Sequence, residues 1–119
     1  MIKKHLASYK HALRGIWFAF RYEPNMIVHG IAVVAVLIAN AMLKVSRTDW
    51  IITLALIGIV LMSEVFNTAL ETLANKVSQD QDPLIGRAKD LAAGAVLIVG
   101  IAAVICAVII YWPYVQEIL

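Results

Sequence analysis

Apolar and polar residues follow two different patterns along the chain. In residues 1–23 the apolar residues recur at steps of three and four, mostly with basic residues between them, which predicts an amphipathic helix. The pair Glu23-Pro24 ends this helix, because the residue before a proline disfavours helical geometry. A helix needs ~20 predominantly apolar residues to cross a bilayer. Three such blocks follow, at 26–43, 50–73 and 91–112. The pattern therefore predicts four helices, three of them membrane spans.

The overall composition also indicates a protein of the bilayer. Of the 119 residues, 62% are hydrophobic and 15% are charged, and the mean hydropathy is +0.84. Soluble domains are typically about half apolar and one quarter charged. We therefore predict a single all-α membrane domain over residues 1–119, in which the helix of residues 1–23 lies on the membrane surface. The single cysteine, Cys106, excludes an intrachain disulfide bond, and we expect no nucleic-acid partner.

Basic residues are distributed unevenly between the two sides of the predicted membrane protein. Three crossings put the N-terminal helix and the polar segment 75–90, predicted as a loop, on one side, which holds eight of the ten basic residues. The short hairpin 44–49 on the other side holds only Lys44 and Arg47. Because cytoplasmic loops carry an excess of Lys and Arg, we predict that the N-terminus and the 75–90 loop are cytoplasmic.

The second predicted span carries a polar stripe. Glu64, Asn67, Glu71 and Asn75 follow each other at steps of three, four and four, so they share one helix face. If this span starts at Trp50, Glu64 lies more than one turn inside the hydrocarbon and Glu71 lies at its boundary. A charged residue at the centre of a span costs roughly 2.5–3.5 kcal/mol, so we predict a function for Glu64. The structural alternative is a protonated Glu64 that hydrogen-bonds a neighbouring helix.

Further polar residues are predicted at the depth of Glu71, namely Glu23, Lys89 and Asp90. Carboxylates and a lysine at one level suit magnesium bound to a nucleotide. No P-loop, Gly-rich kinase loop or zinc-ligand spacing is present, and His29 is interpreted as a hydrogen-bonded packing residue. Two classes remain, a membrane enzyme acting on a lipid and an ion-translocating subunit with Glu64 as the carrier. A carrier needs no such collar of charges on one side, which favours the enzyme.

Two segments resemble the signatures of a known family. SEVFNTALETLANK, from Ser63, resembles the E-x-x-N-[ST]-A-[IL]-E motif of prokaryotic diacylglycerol kinases, and PLIGRAKDLAAGAVLI, from Pro83, resembles their second motif around A-K-D. The order of the motifs, the basic N-terminal helix and the position of Glu23 extend the resemblance over essentially the whole chain. It implies a Mg²⁺-dependent kinase of the bacterial cytoplasmic membrane that uses ATP to convert diacylglycerol to phosphatidic acid. It also implies a homotrimer with active sites between neighbouring subunits.

The resemblance implies roles for individual residues as well. Glu64 is expected to be the general base for the lipid hydroxyl, and Asn67 to orient Glu64 or the reacting phosphate. Glu23 and Glu71 are expected to bind the magnesium of the nucleotide. Other residues expected around the nucleotide are Lys4, His11, Asp80, Gln81, Asp82, Lys89 and Asp90. Residues expected near the lipid, besides Glu64, are Trp17, Phe20 and Asn25.

The lipid substrate stays open at this point. Relatives in this family phosphorylate either diacylglycerol or the polyprenol undecaprenol. The IGRAKD stretch resembles the diacylglycerol enzymes, whereas the LAAGAVL and PNMIVH stretches resemble the undecaprenol branch. Asn75 stands where the family often has an aspartate and Asp82 where a histidine is common, and Val28 and His29 differ from the polar pair of the Gram-negative enzyme. These departures bear on lipid choice and nucleotide affinity, and the family as a whole favours diacylglycerol.

Overall fold

The computed structural model describes residues 1–78 and 82–119, and these residues form four α-helices. The helices are α1 (Ile2–Tyr22), α2 (Pro24–Leu43), α3 (Arg47–Val77) and α4 (Pro83–Ile118). By length and composition, α2, α3 and α4 can each cross a membrane. The predicted all-helical fold, with three helices able to span a membrane, is thereby confirmed.

The junction between α1 and α2 lies at Glu23, as predicted. Its backbone is extended, with φ −102° and ψ 111°, and its N–H donates to the carbonyl of Ala19 over 3.0 Å. Pro24 is the first residue of α2, a position where the missing N–H of proline costs nothing. α1 packs against α2 and α3, where Ala19 and Met26 are buried. We call the half of the bundle next to α1 the α1 end.

A tight turn joins α2 to α3 at the opposite end of the bundle. Lys44 adopts a left-handed backbone conformation with φ 51°, and its N–H donates to the carbonyl of Asn40. Ser46 caps α3, because its Oγ accepts a hydrogen bond from the N–H of Asp49 over 3.1 Å. This turn and the C-terminal part of α4 form what we call the hairpin end.

The connection between α3 and α4 is shorter than predicted. The sequence pattern predicts a loop over residues 75–90, but α3 continues to Val77 and α4 begins at Pro83, so most of that segment is helical. The Oδ1 of Asp82 accepts hydrogen bonds from the N–H groups of Leu84 and Ile85, at 2.9 and 3.3 Å. An aspartate cap followed by proline is a strong helix start. In α3 and α4, the change from apolar to polar residues therefore does not coincide with the end of the helix.

Few side chains are buried within the single chain. Among the described residues, the buried apolar side chains are Ala19, Met26, Val45 and Ala74. α4 has no buried residue although it packs extensively along α3. Large apolar side chains such as Phe66, Leu97 and Ile109 are more than 60% exposed. Contiguous apolar surface of this kind is expected to face lipid or other subunits.

A hydrogen-bonded cluster at the hairpin end joins all three spanning helices. The Nδ2 of Asn40 donates to Oγ1 of Thr53 over 2.8 Å, and the hydroxyl of Tyr111 donates to Oδ1 of Asn40 over 2.6 Å. The hydroxyl of Tyr114 donates to Oδ2 of Asp49 over 2.6 Å. Asn40 is completely buried, yet both ends of its amide are paired. We call these five residues the hairpin cluster.

Candidate functional site

Glu64 lies near the middle of α3 and is 1% exposed. Its Oε2 lies 3.5 Å from Nε2 of His29 on α2, so one of its two oxygens contacts a neighbouring helix. Its Oε1 has no hydrogen-bond partner among residues 1–78 and 82–119. Because buried polar atoms are almost always paired, the free oxygen marks a position where another group can bind.

Asn67 and Thr68 share this property with Glu64. Within the described parts of the chain, Oδ1 of Asn67 and Oγ1 of Thr68 are buried without a hydrogen-bond partner. Residues three and four positions apart lie on one helix face, so the three side chains form one surface. Leaving a buried polar group unpaired costs about 1–3 kcal/mol. Three unpaired polar atoms on one surface are typical of a binding site and not of a completed packing interface.

A cleft of about 550 Å³ opens beside Glu64. Its polar lining comes from Asn25, His29 and Glu64. The remaining lining is apolar: Val28, Val96, Leu97, Gly100, Ile101, Val104 and Ile105. A cleft with polar groups and long apolar walls suits a ligand that joins a polar group to a hydrocarbon chain.

Lys89 reaches the polar stripe of α3 from α4. Its Nζ donates to Oδ1 of Asn75 over 2.9 Å, so Lys89 lies beside the stripe. Glu71 precedes Asn75 by four residues and so shares its face. Glu71 is half-buried, and its carboxylate has no hydrogen bond or ion pair in the described structure. The polar stripe thus carries a lysine bound at Asn75 and, one helical turn before it, the unpaired carboxylate of Glu71.

The predicted magnesium ligands, Glu23 and Glu71, come from the α1–α2 junction and from α3. Like Glu71, Glu23 is half-buried and has no side-chain hydrogen bond or ion pair to the described residues. No three His, Cys, Asp or Glu side chains in residues 1–78 and 82–119 approach closely enough to hold a metal within one chain. Magnesium bound with a nucleotide usually takes one or two protein carboxylates, the remaining oxygens being phosphate or water. Two unpaired carboxylates fit that donor set.

The other predicted nucleotide residues lie in more exposed positions. Lys4 and His11 are exposed on α1, and Asp90 is exposed on α4. Asp82 has a structural role that the sequence reading missed, because its Oδ1 caps α4. The predicted positions Asp80 and Gln81 lie outside the described residues.

Of the predicted lipid residues, Asn25 lines the cleft beside Glu64. Trp17 instead packs against Phe18 and Tyr22, with ring centroids 5.4 and 6.1 Å apart. Phe20 lines a separate apolar groove of about 380 Å³ between α1, α2 and α3. Within one chain, Trp17 and Phe20 are therefore absent from the lining of the Glu64 cleft.

Two residues of the site were missed in the sequence reading. His29 is predicted to be a hydrogen-bonded packing residue, without a role at the site, and the structure shows that its polar contact is to Glu64. An ionisable residue inside a span is a functional candidate by default, so its position was the available signal. Thr68 lies four residues after Glu64, so the same helical spacing that selected Asn67 also pointed to it.

Comparison with known proteins places this site in a family. The profile described as prokaryotic diacylglycerol kinase matches residues 10–111. The chain belongs to this family. It is 36% identical to the undecaprenol kinase of Bacillus subtilis over 112 residues, which cover 94% of this chain and 91% of that protein.

Two further relatives are named diacylglycerol kinase. The one from Synechocystis is 37% identical over 101 residues, covering 84% of this chain and 58% of that protein. The one from Escherichia coli is 31% identical over 105 residues, covering 86% and 81%. The chain is therefore a multi-pass membrane protein of a lipid kinase family, and the resemblance recognised from its two motifs is confirmed.

Proposed function

We propose that this protein transfers the γ-phosphoryl group of ATP to the hydroxyl of diacylglycerol, giving phosphatidic acid in the bacterial cytoplasmic membrane. The observation that supports this most directly is the buried carboxylate of Glu64, which has one unpaired oxygen and lines a largely apolar cleft. A lipid hydroxyl lies just below the headgroups. In this proposal Glu64 meets the hydroxyl there, while the nucleotide stays in water beside Glu71 and Lys89.

Glu64 is the proposed general base. Its carboxylate takes the proton of the lipid hydroxyl as that oxygen attacks the γ-phosphorus, and the bond from phosphorus to the bridging oxygen breaks to release ADP. General bases contribute roughly 10²–10⁴-fold to such reactions. Asn67, on the same face and with an unpaired amide oxygen, orients Glu64 or the reacting phosphate.

The nucleotide is held by groups at the α1 end. Lys89 exchanges its bond to the amide of Asn75 for a phosphate oxygen, because a hydrogen bond between two charged groups is the stronger one. Glu23 and Glu71 are the residues that would hold Mg²⁺, which neutralises phosphate charge when bound. Residues proposed at the periphery of the nucleotide are Lys4, His11, Asp80, Gln81, Asp82 and Asp90.

The proposed assembly is a homotrimer with the N-terminus and the segment between α3 and α4 in the cytoplasm. The exposed basic residues of α1 support this orientation, and α1 would lie on the membrane surface. α4 has no buried residue within one chain. It carries Gly100, Ala103 and Ala107 at helical spacing, and small residues allow helices to approach closely in lipid. In such a trimer, Trp17 and Phe20 of one subunit would contact lipid bound in the cleft of a neighbouring subunit, since neither residue lines the cleft of its own chain.

Undecaprenol is the second candidate lipid. The relative that matches 94% of this chain and 91% of its own length is named undecaprenol kinase. The α4 wall of the cleft is apolar throughout, which suits a prenyl chain whose only polar group is its terminal hydroxyl. Diacylglycerol also carries two ester groups, for which Asn25 is an available partner in the cleft.

One assay tests the proposal. Proteoliposomes containing the purified protein are given γ-labelled ATP, with diacylglycerol or undecaprenol added separately at equal membrane fractions. Label in phosphatidic acid supports the first proposal, and label only in undecaprenyl phosphate supports the second. Absence of lipid labelling with both, combined with proton or sodium flux across the same vesicles, would support the ion-carrier class instead.

A further inference from the structure

His29, which is predicted to be a hydrogen-bonded packing residue, makes its polar contact with the proposed general base. It projects from α2 to within 3.5 Å of Oε2 of Glu64, and its side chain is 24% exposed. Besides the cleft beside Glu64, it lines an apolar cavity of about 240 Å³ between α2, α3 and α4. His29 thus lies between two apolar spaces, with its polar edge directed to the carboxylate.

The two oxygens of Glu64 have different surroundings. His29 lies next to Oε2, whereas Oε1 has no hydrogen-bond partner in the described residues. The α4 wall, including Val96 and Leu97, offers no side-chain donor to the carboxylate. Glutamate has three rotatable side-chain bonds, so a contact to one oxygen restricts where the other can point.

We infer that His29 is a positioning residue, which holds Oε2 of Glu64 so that Oε1 is directed to the lipid hydroxyl. The inference rests on the proposed function, because it assigns a role to His29 through the proposed base. Misplacing a reacting group by about 1 Å can reduce a rate by roughly 10²-fold. The role of His29 should therefore be seen in kcat, while binding of the nucleotide should not depend on it.

Three variants test the inference in the proteoliposome assay at saturating lipid and MgATP. His29→Leu removes the donor and should lower kcat by roughly 10–100-fold, leaving the KM for MgATP within about twofold. His29→Gln keeps an N–H donor of similar reach and should recover most of that loss. His5→Leu is the matched control, since His5 is exposed on α1 and should retain full activity.

A coupling measurement separates positioning from packing. In a Glu64→Asp background the carboxylate is withdrawn from His29, so His29→Leu should cost clearly less than in the wild-type protein. Equal costs in the two backgrounds would overturn the inference. So would wild-type kcat in His29→Leu, a change confined to the KM for MgATP, or a His29→Gln variant as impaired as His29→Leu.

If His29→Leu does not fold, the comparison of His29→Gln with His29→Asn decides. The longer glutamine reaches Glu64 and the shorter asparagine does not, so a roughly tenfold higher kcat for glutamine supports the inference and equal values overturn it. A wild-type protein that phosphorylates neither lipid refutes the proposed function, and the role of His29 with it. If the wild-type protein is active and the His29 variants keep its kcat, only the positioning role of His29 is refuted.

Discussion

At the hairpin end, Asn40 is completely buried and both ends of its amide are hydrogen-bonded to side chains of the other two spanning helices. Towards the α1 end, Glu64 is buried almost as deeply, yet one carboxylate oxygen has no partner among the described residues. Both regions place polar groups in an apolar setting, where unpaired groups are costly. The hairpin cluster therefore serves to join the helices. The unpaired atoms of Glu64, Asn67 and Thr68 are left for a ligand or another subunit to bind.

The largest expected effect comes from removing the carboxylate at the α1 end. Glu64→Gln should lower phosphoryl transfer by roughly 10²–10⁴-fold, because the amide cannot accept the lipid proton. Thermal unfolding in detergent should change little. The matched control is Asp49→Asn in the hairpin cluster, which should keep its kcat. Near-normal turnover in Glu64→Gln would show that Glu64 is not the general base.

The second effect concerns magnesium. Glu71→Gln should raise the Mg²⁺ concentration for half-maximal activity by about 10–100-fold, by analogy with losses seen when groups supporting a metal site are removed. Activity titrated with Mg²⁺ at fixed ATP measures it. Glu117→Gln near the end of α4 is the control carboxylate and should leave the titration unchanged. An unshifted curve for Glu71→Gln would contradict its role as a metal ligand.

The third effect tests the lysine beside Asn75. Lys89→Gln should raise the KM for MgATP by roughly tenfold, which is the lower end of the about 1.5–3 kcal/mol that a hydrogen bond to a charged group contributes. Lys76→Gln, an exposed lysine in the last turn of α3, is the comparison and should change the KM by less than twofold. If the two substitutions change the KM for MgATP equally, Lys89 contributes only its positive charge and makes no specific bond to the nucleotide.

The smallest expected effect on catalysis comes from the hairpin end. Asn40→Leu leaves the hydroxyl of Tyr111 without its acceptor and should lower the free energy of unfolding by about 1–2 kcal/mol. Reversible unfolding in mixed micelles measures this, with Met42→Leu on the exposed face of α2 as control. The kcat should stay within about twofold, and a large loss of kcat would show that the two ends are coupled.

Much of the fold could be predicted from local patterns. The break predicted at Glu23-Pro24 separates α1 from α2, and each of the three apolar blocks lies within one of the other helices. Both features depend only on residues that are near each other in the chain, so the sequence shows them directly. The loop predicted over 75–90 was wrong, because polar residues alone do not end a helix: α3 continues to Val77 and α4 begins at Pro83. The N-cap at Asp82 followed by Pro83 was the local signal that a helix starts there.

The contacts between helices could not be predicted in the same way. Tyr111 and Asn40 are 71 positions apart, and a hydrogen bond of that range has no sequence signature. Helix rise predicts a depth for Glu64 in the membrane, but its contact with His29 depends on how α2 rotates against α3. The motif likewise pointed to Asn67 without indicating that its amide oxygen is left unpaired.

The hydrogen bond from Tyr111 to Asn40 also orders events during synthesis. Asn40 can pair with Thr53 as soon as the first two spans have emerged from the ribosome, but Tyr111 is translated only near the end of the chain. The amide oxygen of Asn40 must therefore wait for α4 before it is satisfied. Closure of this end of the bundle thus depends on the last helix, and a chain that ends before Tyr111 leaves the amide oxygen of Asn40 without this donor.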